Sequence, residues 1–295
     1  MAITNPIKKR LQSLKTQYDT LRKGKEAFLN IIDEAEIPEA VFNSNAIENS
    51  TLTLRETERI LLELDLSREI SLREVYEAKN LARVVDYIRA KSQQTDLSKE
   101  IILFLHQMLI GGINDKIAGR FRKKGEYVRI GTYVASAPEQ VERLIDEIFL
   151  EYGSDLATYF MDKIAKFHLD FESIHPFNDG NGRIGRVIIN YQLQHFGFPS
   201  IIIRDKEKKN YYKAFLEYHD KKNTRVMEQI LTLALMESLH KRITYLKGDA
   251  IITLAEYIKK NKKSAPAFSN AAKRQNIPAF REKGVWKISE AFKSV

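Results

Sequence analysis

At 295 residues the chain can bury one large core, or one core plus a small satellite. Hydrophobic residues make up 43% and charged residues 29%, and no apolar run is long enough to cross a bilayer, which excludes a membrane-spanning class and points to a soluble globular protein. The net charge is +9, and from Lys247 onward eleven basic residues stand against four acidic ones, so most of the excess sits in the last sixth of the chain. Such a basic appendage suits nucleic acid or an acidic protein partner. The absence of cysteine excludes disulfides, thiolate metal sites and cysteine nucleophiles, and leaves oxygen or imidazole to hold any metal. The basic N-terminal stretch lacks the apolar core and small-residue cleavage site of a secretory signal, so a cytoplasmic location without a membrane anchor is expected.

Helical periodicity dominates, and the fold class is mainly α. The first forty residues read as one or two helices ending at a Pro38 break, with a second helix starting near Ser44. A third begins at Thr53, where Glu56 three residues on completes a capping-box pattern. Residues 73–91 and 98–110 continue the helical series until Gly111-Gly112. Residues 126–134, EYVRIGTYV, alternate and carry β-branched and aromatic side chains around Gly131, so a short hairpin or flap is expected there. Helices resume at Glu139. Phe160, Ile164, Phe167, Phe171 and Ile174 form one helical stripe within 157–174 and belong in the core. After a loop at 175–182, residues 183–196 form a helix capped by Gly197, and helices near 209–220 and 223–246 follow.

The loop and the helix after it carry the chemistry. Residues 175–186 read HPFNDGNGRIGR. Ile184, Val187, Ile188 and Tyr191 share the buried face of the helix, while Arg183, Arg186 and Asn190 share another. Two arginines therefore point together just inside a helix N-terminus, whose free N–H groups and positive dipole end attract anions. Gly180, Asn181 and Gly182 let the backbone approach a phosphate closely. Asp179 suits Mg²⁺, which bridges phosphates through oxygen and keeps several waters. His175 can accept a proton from a hydroxyl near neutral pH. Base, metal ligand and polyphosphate cradle fall within one short segment, and the GxxxxGK[ST] order of a Walker A loop is absent.

This stretch matches the pattern HPFx(D/E)GNGRxxR at every specified position and resembles the signature of Fic-family adenylyltransferases, in the GNGR version of the AMP-transferring branch. The resemblance implies that His175 is the base, Asp179 the Mg²⁺ ligand, Asn181 and Gly182 the α-phosphate contacts, and Arg183 and Arg186 the holders of the β- and γ-phosphates of ATP. It also implies in-line transfer of AMP to a Tyr, Thr or Ser hydroxyl of a target protein. GRFR at 119–122 followed by Arg129, Ile130, Gly131, Thr132 and Tyr133 resembles the family's flap, which covers the nucleotide and binds the target by strand addition. Tyr211 and Tyr212 sit where the family commonly has a tyrosine pair beside adenine. On this basis residues 1–95 form an N-terminal helical region, 96–246 the catalytic core and 247–295 a small basic module.

Residues 44–49, SNAIEN, match the family's (S/T)xxxE(G/N) inhibitory motif, on a helix expected at about 44–50 with Ser44, Glu48 and Asn49 at its specified positions. The resemblance implies that Glu48 pairs with Arg186 and blocks the γ-phosphate site. The same glutamate could instead orient water for removal of AMP, and Asn45 with Glu48 also fits an ordinary capping box. Tyr211 fits a nucleotide pocket or plain helix packing, the flap fits an edge hairpin without a client, and His168 reads as a core histidine more readily than as half of a metal pair with His175. In the last fifty residues a helix, a turn and a wing around Trp286 loosely resemble winged-helix DNA-binding modules, with a solvated basic tail or a target-docking module as alternatives. Three functions stay open on sequence: an adenylyltransferase regulated in cis, a Fic-fold transferase with another nucleotide or phosphate donor, and a DNA-binding regulator. Self-modification and a homodimer also stay open.

Overall fold

The computed structural model describes residues 5–131 and 133–293, and it is mainly α-helical. Helices α1 (Asn5–Leu21) and α2 (Glu26–Ile47) lead into α3 (Leu54–Leu61), α4 (Leu72–Lys91) and α5 (Lys99–Ile110). A hairpin of two-residue strands, β1 (Arg129–Ile130) and β2 (Tyr133–Val134), precedes α6 (Val141–Ser154), α7 (Phe160–Ile174), α8 (Asn181–His195), α9 (Lys208–Lys221) and α10 (Arg225–Lys247). The chain then forms β3 (Ile251–Thr253), α11 (Leu254–Lys260), α12 (Ala265–Lys273), β4 (Phe280–Glu282) and β5 (Val285–Ser289). Among the described residues no helix is long and apolar enough to cross a membrane.

Local chemistry sets several boundaries. Thr53 caps α3, its hydroxyl accepting from the Glu56 N–H at 3.2 Å while the Glu56 carboxylate accepts from the Thr53 N–H at 2.8 Å. Ser71 and Ser98 cap α4 and α5 in the same first-turn manner. Gly197, just past α8, is left-handed at φ 71°, and the Phe198 N–H reaches back to the Leu193 carbonyl, a Schellman-type stop.

One expectation fails. No break occurs at Pro38 and no new helix starts near Ser44: α2 runs unbroken through Pro38, and Ser44 lies in its last turns. A proline inside a helix costs about 3 kcal/mol in isolation. Here tertiary contacts on both sides of Pro38 override that cost, with Glu36 paired to Arg242 at 2.6 Å and Glu39 paired to the buried Arg204. The helix ends where Asn49 turns left-handed at φ 68°. The Asn49 N–H donates to the Ala46 carbonyl and the Ser50 N–H to the Asn45 carbonyl, so the capping-box reading of Asn45 and Glu48 also fails: this is a C-terminus, not an N-terminus.

Helices α7 and α8 are wedged between two apolar clusters. Ile164, Leu169, Ile189 and Leu193 pack with α1, α9 and α10, whereas Phe167, Phe171, Ile184, Ile188 and Tyr191 pack with α4, α5 and α6. Burying each such side chain contributes about 1.5–3 kcal/mol. The loop joining α7 to α8 is therefore anchored at both ends in core.

From Ile251 a strand, two helices and a hairpin follow, and the strands form a three-stranded antiparallel sheet in the order β3-β5-β4 over a cluster of Leu254, Tyr257, Ile277 and Ile288. Its β4–β5 turn docks on α2, where the Glu39 carboxylate accepts from the Lys283 and Gly284 N–H groups at 2.9 and 3.2 Å. Arg281 continues the contact to Glu237 on α10 at 2.6 Å.

Candidate active site

His175 is the C-cap of α7 and adopts a left-handed backbone, φ 53° and ψ 63°, which turns the chain sharply into the loop. Its Nδ1 lies 3.3 Å from the Glu172 carbonyl, an arrangement that places the proton on Nδ1 and leaves Nε2 as the basic nitrogen. Burial pushes the imidazole down to about 4, so it is neutral at physiological pH and able to accept a proton. The turn is held from outside by Arg122, which donates to the carbonyls of Glu126, Ser136, Ile174 and His175 at 2.7–3.2 Å.

The loop then closes on itself. The Asn181 side chain accepts from the Phe177 N–H and donates to the Phe177 carbonyl, each at 2.8 Å, so its amide shapes the loop. Gly180, left-handed at φ 82°, is the N-cap of α8 and supplies no side-chain cap, which leaves the first-turn N–H groups of α8 to other acceptors. A methyl group on Gly180 would press on Ile110 and Leu109 at 3.1 and 3.2 Å. One on Gly182 would lie 2.2 Å from a Glu48 carboxylate oxygen and 3.1 Å from Arg186 Nη1. Glycine is needed there because Glu48 lies directly against the loop.

Both cradle arginines are buried and both meet carboxylates. Arg183 pairs with Asp179 at 3.0 Å and with Glu77 of α4 at 3.1 Å. Asp179 also accepts from Arg73 of α4, and its backbone carbonyl accepts from His106 Nε2 at 3.0 Å. Burial pushes the Asp179 carboxyl up, but Arg183 and Arg73 more than offset this and hold it below its ordinary value. Arg186 donates to the Ser44 hydroxyl at 2.9 Å, the Ser44 carbonyl at 2.8 Å and Glu48 at 2.9 Å. Burial lowers its proton affinity, yet the Glu48 charge and the neighbouring Tyr211 raise it further, so the guanidinium stays charged.

The hairpin pairs Arg129 with Val134 and Ile130 with Tyr133. Gly131 is left-handed at φ 55°, as a tight turn requires, and Tyr133 stacks on His219 of α9 at 4.5 Å. Thr132 lies outside the described residues. Tyr211 is almost fully buried, its hydroxyl 2.8 Å from His168 Nε2 and its ring 5.8 Å from the Arg186 guanidinium. Tyr212 donates to the Ile47 carbonyl at 2.9 Å. Tyr211 thus lies against Arg186, and Tyr212 holds the end of α2. His168 is likewise a hydrogen-bonded core residue, not half of a metal pair.

Residues 96–193 match the Fic/DOC family. The chain carries a Fic domain. It is 30% identical over 218 residues to the protein adenylyltransferase Fic of Drosophila yakuba, an alignment that takes in 69% of this chain and 42% of that relative. The chain thus spans less than half the length of this curated relative. Two solved structures share the fold. A Fic domain containing signaling protein from Bacteroides thetaiotaomicron superposes with a TM-score of 0.73 at 24% identity, covering 81% of this chain and 98% of that one. A Fic family protein from Desulfovibrio desulfuricans does so at 0.65 and 17% identity, covering 100% and 99%.

The Fic loop accepts more support than its own sequence reveals. His106, buried and stacked on Phe177 at 3.7 Å, accepts from the Gly119 N–H at Nδ1, which fixes the tautomer that donates to Asp179. Glu172 lies beneath the His175 turn with its carboxylate 3.7 Å from His175 Nδ1; burial and then the Glu48 charge push it up to about 8. Arg73, Glu77, His106, Arg122 and Glu172 were not legible as site residues. The available signals were slight: a polar His106 within the apolar run at 101–110, and an acidic Glu172 on a helix otherwise built for the core.

The Fic signature implies Mg²⁺ at Asp179. Among the described residues no cluster of three His, Asp or Glu side chains could cage a metal. Mg²⁺ needs only one or two carboxylates alongside substrate phosphates and water. Asp179 already draws two guanidinium groups to its oxygens, so a cation is accommodated at that point and the donor set fits.

Proposed function

We propose that the Fic domain transfers AMP from ATP to a side-chain hydroxyl of a protein, and that Glu48 holds this activity down at rest. The observation that carries the reading is a neutral His175 standing at the mouth of a helix N-terminus lined by Arg183 and Arg186. The target hydroxyl oxygen bonds to the α-phosphorus as the bond to the α,β-bridging oxygen breaks, pyrophosphate departs, and the hydroxyl proton passes to His175 Nε2. The α8 N–H groups take the charge that develops on the transferring phosphoryl group, and the arginines take that of the departing phosphates. Mg²⁺ on Asp179 would neutralise phosphate charge when bound. Burial makes His175 a weaker base, and positioning and charge neutralisation supply most of the acceleration.

The relative named an adenylyltransferase supports ATP as donor. The position of Glu48 supports restraint, since its carboxylate fills the space above Gly182 and engages the Arg186 Nη2 that a terminal phosphate would use. A second reading rests on the same carboxylate: with 38% of its side chain exposed beside the loop, Glu48 can hold a water for hydrolytic removal of AMP. The flap supports target docking by strand addition, because a two-stranded sheet keeps a free edge on each strand.

The test is incubation with Mg²⁺ and ATP, GTP or UTP in parallel, followed by mass spectrometry for nucleotide adducts on the protein itself and on lysate proteins. Adducts from Glu48→Gly, fewer from the native chain and none from His175→Ala are expected. A Glu48→Gly protein that transfers UMP or GMP in preference to AMP overturns the choice of donor, and one that transfers nothing overturns the reading.

A further inference from the structure

Four charges form a closed ring at the edge of the cradle. Arg73 Nε reaches Glu77 at 3.0 Å, Glu77 reaches Arg183 at 3.1 Å, Arg183 reaches Asp179 at 3.0 Å, and Arg73 Nη2 closes the ring on the second Asp179 oxygen. The ring is neutral as it stands. Arg73–Glu77 and Arg183–Asp179 are each local pairs four residues apart, and the Glu77–Arg183 and Arg73–Asp179 links join α4 to the Fic loop across 106 residues of sequence.

We infer that Arg73 is a stand-in cation for the metal position, occupying the Asp179 carboxylate until a divalent ion displaces it. The inference rests on the reading of Asp179 as the metal ligand. Adding two positive charges beside Asp179 makes the ring strongly cationic, so one guanidinium must leave. Exposure decides which. The Arg183 side chain is 4% exposed and locked between Glu77 and Asp179, whereas the Arg73 side chain is 58% exposed and can swing into solvent while its Nε stays on Glu77. Arg73 thereby raises the metal concentration the site requires, and it spares the carboxylate from facing solvent unpaired when no ion is present.

The experiment measures binding, not turnover. Calorimetry on the full chain compares α,β-methylene-ATP, whose α–β bridge resists cleavage, with and without Mn²⁺, and the readout is the ratio of the two affinities. An exposed pair of this kind is worth a factor of about two to five. Arg73→Ala is expected to raise the ratio by that factor, Arg73→Lys to return it towards the native value, and Asp179→Asn to abolish the metal-dependent gain. A ratio that falls in Arg73→Ala makes Arg73 a phosphate ligand and overturns the inference, as does an unchanged ratio. If Asp179→Asn keeps the full metal-dependent gain, the metal-ligand reading itself fails. Equal thermal melts of the three variants and the native chain establish that the comparison is between folded proteins.

Discussion

Replacing Glu48 with glycine removes one of three hydrogen bonds from the Arg186 guanidinium, the one to a carboxylate, and leaves the two to the neutral Ser44 acceptors in place. A charge-assisted hydrogen bond contributes about 1.5–3 kcal/mol, and the 38% exposure of the Glu48 side chain reduces this by solvent screening to about 1–2 kcal/mol. If that energy is what a triphosphate must overcome, ATP affinity and the rate of adduct formation rise about fivefold to thirtyfold. The fold should tolerate the change. Glu48 is the C-cap of α2, a position where a carboxylate opposes the helix dipole, and the left-handed turn is made by Asn49. The thermal midpoint is therefore expected to move by no more than about 3 °C. Labelled ATP reports transfer to the protein and to lysate, and calorimetry reports affinity. Equal labelling together with equal ATP affinity in native and Glu48→Gly proteins would refute the claim that this contact restrains the site.

Four further outcomes follow from the buried groups. Burial pushes His106, His175 and His240 down to about 4 and His168 to about 3, each from 6.5, so the unfolded chain binds more protons than the folded one in acid. Their contribution to stability is complete above pH 6.5 and lost as pH falls towards 4, by several kcal/mol in total, visible as a falling urea midpoint; a midpoint flat over that window contradicts it. Glu172 works in the opposite sense: raised from 4.5 to about 8, it adds stability below pH 4.5 that disappears as pH rises through 8, and Glu172→Gln should remove that alkaline decline. A methyl group on Gly185 would lie 2.4 Å from the Glu172 carboxylate and 2.8 Å from the His168 ring, so Gly185→Ala should cost about 1–3 kcal/mol by overpacking, measured by denaturant unfolding. Arg122→Ala leaves four carbonyls around the His175 turn without their donor, and a loss of about 2–4 kcal/mol with a lower transfer rate and little change in ATP affinity is expected from paired unfolding and kinetic measurements.

The chemistry concentrated between His175 and Arg186 was legible because its parts are neighbours in sequence: a helix end, a glycine turn and the first turn of the next helix bring base, carboxylate and guanidinium groups together with little help from the rest of the chain. The Glu48 motif was legible for a related reason. Its last position accepts glycine or asparagine because the helix must stop there in a left-handed turn, which Asn49 makes at φ 68°. What sequence misjudged was the start of that helix, since Pro38 reads as a break, whereas Arg242 and Arg204, more than 160 residues away, pair with the helix on both sides of it.

The ring of Arg73, Glu77, Arg183 and Asp179, the Arg122 brace and the buried Glu172 belong to the other category. Periodicity and caps report which residues share a face of one element, and they carry no information about which face of another element will meet it. Sequence by itself determined a helical Fic core, the loop and helix start at 175–186, and the residue that contacts Arg186 from α2. Tertiary packing alone decided that Tyr211 would seat Arg186, that Asn181 would close the loop, and that Asp179 would already be holding two arginines, because those contacts join groups that only the folded core brings within hydrogen-bond reach.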